Sequence, residues 1–254
     1  MSSFASYPSL KGRTVFVSGG GSGIGASIVE HFAAQGSKVA FVDIDEVAST
    51  ALVKKIAAAG QSALFRKCDI RDLKAYQAVI AEVARELGTI TVLVNNAARD
   101  DRHELKDVTP EFWDERIAVN IRHAYFAIQS VAPGMKQAGG GSIVNFSSVS
   151  YHTMTPNLSV YQAAKAAAIG MTRGLARDLG PDKIRLNCIT PGWIMTQRQI
   201  DLWLTPESEA ELMKAQVLKE KVYPPDIARM ALWLAADDSR MVSAQNFVVD
   251  GGRM

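Results

Sequence analysis

Tyr161-Gln162-Ala163-Ala164-Lys165 sets a phenol and an ammonium four residues apart, with Ser148 thirteen residues upstream at the end of an apolar run. Residues four apart share one face of a helix, so both groups can address one point. A phenol titrates near about 10, and an adjacent cation favours the phenolate, moving it toward the range useful for proton transfer at neutral pH. The pair is a candidate base. Because Tyr-x-x-x-Lys also arises on helix surfaces by chance, its meaning depends on the elements that position it.

Those elements begin with Thr14-Val15-Phe16-Val17, a β-branched and aromatic run that reads as a buried strand. It enters Ser18-Gly19-Gly20-Gly21-Ser22-Gly23-Ile24-Gly25 and continues into helix-forming residues through Ala34. Strand, glycine loop and helix start make the first half of a βαβ unit. Glycine is needed where the backbone takes positive φ and where a side chain would keep a pyrophosphate from the helix N-terminal amides. Gly21, Gly23 and Ala26 fit one dinucleotide fingerprint, and Gly19, Gly23 and Gly25 fit a wider variant. A tight turn without a ligand is the other reading. The next strand, Ser37 to Val42, ends at Asp43, followed by Ile44. An acid at that place can accept both ribose hydroxyls of adenosine and repels a 2′-phosphate, which favours NAD over NADP. The same residue can serve as a strand-end turn, and Asp45 competes for either role.

The pattern repeats without a linker. A helix over Ala48–Ala59 leads to a strand over Ala63–Cys68 with Asp69 at its end, then a helix over Leu73–Leu87 and a strand over Thr91–Val94 ending in Asn95-Asn96-Ala97-Ala98. Thr109-Pro110 opens a long helix through Met135, whose interior carries Asn120, a poor helix former unless it has a task or faces solvent. Ser142–Phe146 is a fifth strand, Leu158–Leu179 the helix bearing Tyr161 and Lys165, and Ile184–Ile189 a strand reaching Pro191-Gly192. Residues 193–223 lose the strand rhythm and are expected to form a lid over the crevice. Pro224-Pro225 starts a last helix to Ala236, and Asn246–Val249 is the final strand. Alternating strands and helices predict an α/β fold, a doubly wound parallel sheet of Rossmann type with helices on both faces, built as one domain over residues 1–254. Ligand-facing residues then sit at the carboxyl ends of strands, as Asp43, Asp69 and Asn96 do.

Composition narrows the function. With 254 residues, 48% apolar and 21% charged, the chain reads as an ordinary globular protein. A net charge of +2 and the absence of any Lys/Arg run give no footprint for nucleic acid or anionic lipid. Cys68 and Cys188 each lie in apolar segments and read as small buried hydrophobes, and with neither C-x-x-C nor H-E-x-x-H no metal is expected. Met1 to Lys11 lacks a continuous apolar core and no later run approaches 18 apolar residues, so no membrane association and a cytoplasmic location are expected. No G-x-S-x-G elbow occurs, which counts against a serine hydrolase.

Taken in order, Ser18-Gly19-x-x-x-Gly23-Ile24-Gly25, Asn95-Asn96-Ala97, Asn120, Ser148, Tyr161-x-x-x-Lys165 and Pro191-Gly192 resemble the short-chain dehydrogenases/reductases over essentially the whole chain. Two positions depart from the usual pattern: Ser18 stands where threonine is common, and Ala98 where glycine is. The resemblance implies that Ser148 hydrogen-bonds the hydroxyl at the carbon to be oxidised and that Tyr161 takes its proton. It implies too that Lys165 lowers the tyrosine pKa and binds the nicotinamide ribose, and that Asn120 holds a relay water. Pro191, Gly192 and Ile194 would lie along the nicotinamide, Asp69 and Ile70 along the adenine, and Asn96 and Ala97 along its ribose, with Gly19, Ser22, Gly23, Ile24 and Gly25 at the phosphates. A homotetramer is implied as well.

Asn95 to His103, Trp113 to Ile117, Arg122-His123 and Ala132 to Lys136 further resemble bacterial NAD-dependent sugar dehydrogenases, which implies oxidation of an aldopyranose at its anomeric carbon to a lactone. A sugar needs several polar partners. Ser150, His152 and Trp193 are candidates beside Ser148 and Tyr161, each with a plain loop or packing role as alternative. Arg102 and His103 are expected to be structural or to serve a subunit contact. A 3-oxoacyl thioester or ketone reductase could use the same four residues, and a non-catalytic NAD-binding regulator could keep the fold alone.

Overall fold

Short runs rich in Val, Ile and Phe become strands because both faces of the sheet are covered, so every position can be apolar. The computed structural model describes residues 4–254, so the first three residues of the Met1–Lys11 segment lie outside it. Seven strands, Thr14–Ser18 (β1), Lys38–Asp43 (β2), Ala63–Lys67 (β3), Ile90–Asn95 (β4), Gly141–Phe146 (β5), Ile184–Pro191 (β6) and Asn246–Val249 (β7), form one sheet in the order β3-β2-β1-β4-β5-β6-β7. Every neighbouring pair is parallel. Between β1 and β4 the chain reverses its direction of travel across the sheet, which opens a crevice at the strand carboxyl ends.

Side-chain alternation divides the core in two. Val15 and Val17 of β1, Val92 and Val94 of β4, and Val144 of β5 join one cluster with Ile28 and Phe32 of helix Gly23–Ala34 (α1). Phe16, Leu93 and Ile143, one residue out of phase, join the other with Tyr76, Ile80 and Val83 of helix Leu73–Leu87 (α3). The doubly wound arrangement follows from that period of two. Helix Glu46–Ala58 (α2) starts at Asp45, which accepts from the Ala48 amide at 2.9 Å. Asp45 is therefore the helix cap, while Asp43 both makes the strand-end turn, accepting from the Asp45 amide at 3.0 Å, and lines the crevice.

Helix Pro110–Ile117 (α4) is capped by Thr109, with Pro110 in its first turn. The long helix expected over 109–135 departs from regularity: a π-helical turn at Ala118–Arg122 separates α4 from helix His123–Gln137 (α5), and Asn120 sits at its centre. Asn120 causes this locally, since its amide donates to the Arg116 carbonyl at 2.9 Å and competes with the regular ladder. Helix Ser159–Leu179 (α6) follows β5. Residues 193–223 carry two short helices, Gln197–Trp203 (α7) and Pro206–Ala215 (α8), and Pro224–Ala235 (α9) packs against α1. None of the helices among the described residues is long and apolar enough to cross a membrane.

Leu93 stands fully buried in central strand β4. Leu93→Ala should lower the unfolding free energy in urea by about 2–5 kcal/mol. Val47→Ala, at a side chain 83% exposed, should stay within about 0.5 kcal/mol of the parent.

Candidate active site

The glycine loop is folded so closely that hydrogen is the largest substituent several positions accept. A Cβ on Gly25 would stand 1.9 Å from the Gly19 carbonyl oxygen, and one on Gly19, whose φ is +65°, would stand 2.7 Å from Ala97 Cα. Gly19 and Gly25 of the wider spacing are crowded by backbone, whereas Gly21 of the narrower one meets the Ser49 and Asp43 side chains, 2.5 and 2.9 Å from its Cβ position. Asn96 Nδ2 donates to the Ser18 and Gly19 carbonyls at 3.2 and 2.8 Å, and the Ala97 amide donates to Ser18 Oγ at 3.2 Å, tying the loop to the end of β4. Serine fills the usual threonine role at position 18 because only its hydroxyl is engaged. Asp43 accepts from the Gly21 amide at 2.8 Å and the Asp45 amide at 3.0 Å, so its carboxylate is held at the mouth of the loop. Ser22 makes no side-chain cap to α1, which leaves the first-turn amides of that helix open toward the crevice.

Tyr161 and Lys165 come from α6, and a chain of buried bonds fixes that helix to the sheet. Asn95 Nδ2 donates to Asn145 Oδ1 at 2.8 Å, Asn145 Nδ2 to Thr172 Oγ1 at 2.9 Å, and Thr172 Oγ1 to the Ala168 carbonyl at 2.7 Å. Closer to the site the fixing is reciprocal: Lys165 Nζ donates to the Phe146 carbonyl at 3.1 Å, and Ser147 Oγ donates to the Lys165 carbonyl at 2.8 Å. Lys165 is 2% exposed, and its ammonium lies 5.6 Å from the Tyr161 ring centroid. Ser148 Oγ accepts from the Ser150 amide at 3.2 Å and lies beside the Tyr161 phenol.

Electrostatics around the pair run against the direction expected from the Tyr-x-x-x-Lys spacing alone. Burial, reinforced by the charge of Asp100, pushes the Tyr161 phenol above its ordinary value, while the Ser148 hydrogen bond and the Arg102 charge pull the other way without prevailing. Burial also brings Lys165 down from 10.5 to about 8, with Cys188 and Asp100 opposing it. Desolvation disfavours both charged forms, so the free protein holds a neutral phenol beside a lysine poised near neutral pH.

A cavity of about 610 Å³ joins these parts. Its wall includes Gly19, Ser22, Ile24, Gly25, Asp43, Ile44, Asp69, Ile70, Asn96 and Ala97 toward the glycine loop, and Ser148, Ser150, Tyr161, Lys165, Pro191, Gly192, Trp193 and Ile194 toward α6 and β6. Three expected residues do not line it. Gly23 supplies a positive φ of 55° to the turn instead. Asn120, 3% exposed, accepts from the Arg99 amide at 2.9 Å and donates to the Arg99 and Arg116 carbonyls at 3.1 and 2.9 Å, so both its N–H groups are engaged in holding the segment after β4. His152 is exposed, its ring 4.0 Å from that of Tyr151 and its Nε2 2.5 Å from the Tyr151 hydroxyl. Asp69 lines the cavity with its carboxylate held by Arg71, whose Nη2 lies 2.6 Å away, and that bond keeps it well below the usual carboxylate range. The wall also holds residues sequence reasoning passed over: Asp100, Gln199 and Trp203, and Arg102, which had been read as structural. His103 lies off the wall and bonds Ser159 Oγ at 3.1 Å.

A family model described as enoyl-(acyl carrier protein) reductase matches residues 19–253. The chain belongs to the short-chain dehydrogenase/reductase family. Among relatives of this dehydrogenase, D-xylose 1-dehydrogenase of Caulobacter vibrioides is 48% identical over 98% of this chain and 99% of its own. A probable galactose dehydrogenase, GalD, of Rhizobium meliloti is 50% identical over 97% and 96%. A solved 7α-hydroxysteroid dehydrogenase, complexed with NADH and 7-oxo glycochenodeoxycholic acid, superimposes with a TM-score of 0.91 at 32% identity, covering 96% of this chain and 94% of that one. The family uses a nicotinamide cofactor, and the dehydrogenase described here fits one: Gly19 and Gly25 leave no room for a Cβ, the α1 amides are uncapped, and Asp43 presents a carboxylate at the end of β2.

Lys165 loses its proton near pH 8 when folded and near 10.5 when unfolded, so between those values the unfolded chain binds more protons and stability rises with pH. Relative to Lys165→Met, the parent should gain about 3 kcal/mol across that window, measured by urea unfolding at stepped pH. A flat difference would show that the lysine is not depressed.

Proposed function

We propose that the protein is an NAD-dependent aldose 1-dehydrogenase, oxidising an aldopyranose at its anomeric carbon to the lactone. The observation that carries the reading is the meeting, in one cavity, of the glycine loop with Asp43 at one end and Ser148, Tyr161 and Lys165 at the other. Relatives of about half identity named for D-xylose and galactose support a sugar over a thioester.

When bound, the oxidised nicotinamide supplies the hydride acceptor and a positive charge. Ser148 then orients the anomeric hydroxyl through its Oγ, and Tyr161 removes the hydroxyl proton as the carbon gives up its hydride. Burial pushes the phenol up, and the positive charge that the oxidised nicotinamide would bring acts in the opposite direction, toward the phenolate. Lys165 stabilises the phenolate across the 5.6 Å to the ring and holds the nicotinamide ribose hydroxyls. Asn120 positions the segment after β4 through its bonds to Arg99, and a relay water to bulk would bind at the π turn it occupies. Asp43 accepts the adenosine ribose hydroxyls, and its negative charge disfavours a 2′-phosphate. Residues 193–223 form a lid within a single domain, with α7 as its cavity-facing part. Ser150 and Trp193 contact substrate, whereas His152 acts from outside the cavity by bracing Tyr151. The enzyme is a cytoplasmic homotetramer, in a compartment where buried Cys68 and Cys188 stay thiols, and exposed aromatic side chains such as Trp113 and Tyr125 on α4 and α5 suit subunit contacts.

Initial rates with D-xylose, D-galactose, simple alcohols and a 3-oxoacyl thioester, each with NAD and NADP, should show sugar oxidation with NAD. Turnover confined to the thioester would overturn the reading. Tyr161→Phe should reduce kcat by about 10²–10⁴-fold while NADH affinity, followed by fluorescence, stays within a few-fold. Asp43→Ser should move the NAD/NADP ratio of kcat/KM toward NADP by at least tenfold, about the effect of one charge-assisted hydrogen bond.

A further inference from the structure

The cavity wall opposite the glycine loop carries a group that proton transfer does not use. Asp100, on the segment after β4, has a side chain 20% exposed and accepts from Gln199 Nε2 at 2.9 Å and from Arg198 Nη2 at 3.4 Å. Gln199 is itself oriented, because its Oε1 accepts from Trp193 Nε1 at 2.9 Å. Donors therefore run in one direction, Trp193 to Gln199 to Asp100, and end on the carboxylate. Asp101 next to it is bound by Arg116 and Arg99, shares Arg198 Nη2 with Asp100 at 3.5 Å, and does not line the cavity.

We infer that Asp100 is a specificity-determining residue, whose carboxylate accepts hydrogen bonds from substrate hydroxyls other than the one being oxidised. This rests on the aldose reading above. An ionised carboxylate offers about four lone-pair sites and no donor. Gln199 and Arg198 occupy two of them, which leaves two for O–H donors. The neighbouring wall has the opposite character: the Arg102 guanidinium lies 4.7 Å over the Trp203 ring, and Arg102 Nε and Trp203 Nε1 are both buried with no acceptor among the described residues. A ligand bearing only carbonyl acceptors leaves the two remaining lone-pair sites of the carboxylate desolvated and unfilled. Hydroxyls donate and accept at once, so a polyol alone suits a wall of one pure acceptor flanked by pure donors.

Asp100 also bears on the reacting end, since its charge raises both Tyr161 and Lys165.

The test is a substrate–variant cycle with the NAD-loaded enzyme. Catalytic efficiency is measured for D-xylose, D-galactose and their deoxy analogues, each lacking one ring hydroxyl, in the parent, Asp100→Asn and Asp100→Ala. In the parent, removal of one or two particular hydroxyls should lower kcat/KM by about tenfold or more. In Asp100→Ala the same deletions should have no further effect, and Asp100→Asn, which retains one acceptor, should fall between. Calorimetry of sugar binding to the NADH complex should show the same pattern, with NADH affinity unchanged. Deoxygenation losses that persist at full size in both variants overturn the inference. If the alanine variant melts early, the isosteric asparagine variant decides. A parent that oxidises no sugar overturns the aldose reading, whereas active sugars with variants indifferent to Asp100 remove only this assignment.

Discussion

A buried ammonium with no carboxylate partner among the described residues is the constraint on which the site depends. Lys165 is held by the Phe146 carbonyl, while its own backbone carbonyl receives Ser147 Oγ. These two bonds cross between the end of β5 and α6 in opposite directions, so neither element can slide along the other without breaking both. Taking the charge out of water is unfavourable, as the depression of Lys165 to about 8 records. The structure tolerates this because the sheet beneath is over-determined, through Asn95, Asn145 and Thr172 and through the strand pairing that sets β5 between β4 and β6.

From that fixed point the rest of the crevice is placed by strand ends. β1 delivers the glycine loop, β2 delivers Asp43, and β4 delivers Asn96 and the segment that runs on to Asp100 and Arg102. Asn96 and Asn120 do similar work at two ends of that segment, one tying it to the glycine loop and the other to the π turn. Burial pushes the Tyr161 phenol above its ordinary value, so the charge around it decides how readily it gives up its proton.

Much of this was legible in the chain. Short apolar strand runs alternating with helix signals predict a doubly wound parallel sheet, with α3 and β7 at their observed bounds, because local pattern and tertiary burial agree there. What escaped was long-range or dependent on burial. Gln199 and Asp100 lie 99 residues apart in the chain, and no local pattern links them. The direction of the Tyr161 shift depends on desolvation, which spacing does not report. His152 has a sugar-binding residue type but stands outside the cavity. The π turn escaped because one extra residue leaves the apolar spacing on either side intact.

That extra residue has a geometric consequence. Each helical residue advances the surface by about 100°, so the turn at Ala118–Arg122 offsets the face of α4 from that of α5. It lets α4 meet α6 while α5 meets α3 and β4. The segment behaves like a gear with one inserted tooth: side chains along it can be exchanged individually, but a single-residue deletion between 118 and 122 would rotate one half against the other. Insertions and deletions are excluded there by phase, independently of which amino acids are involved.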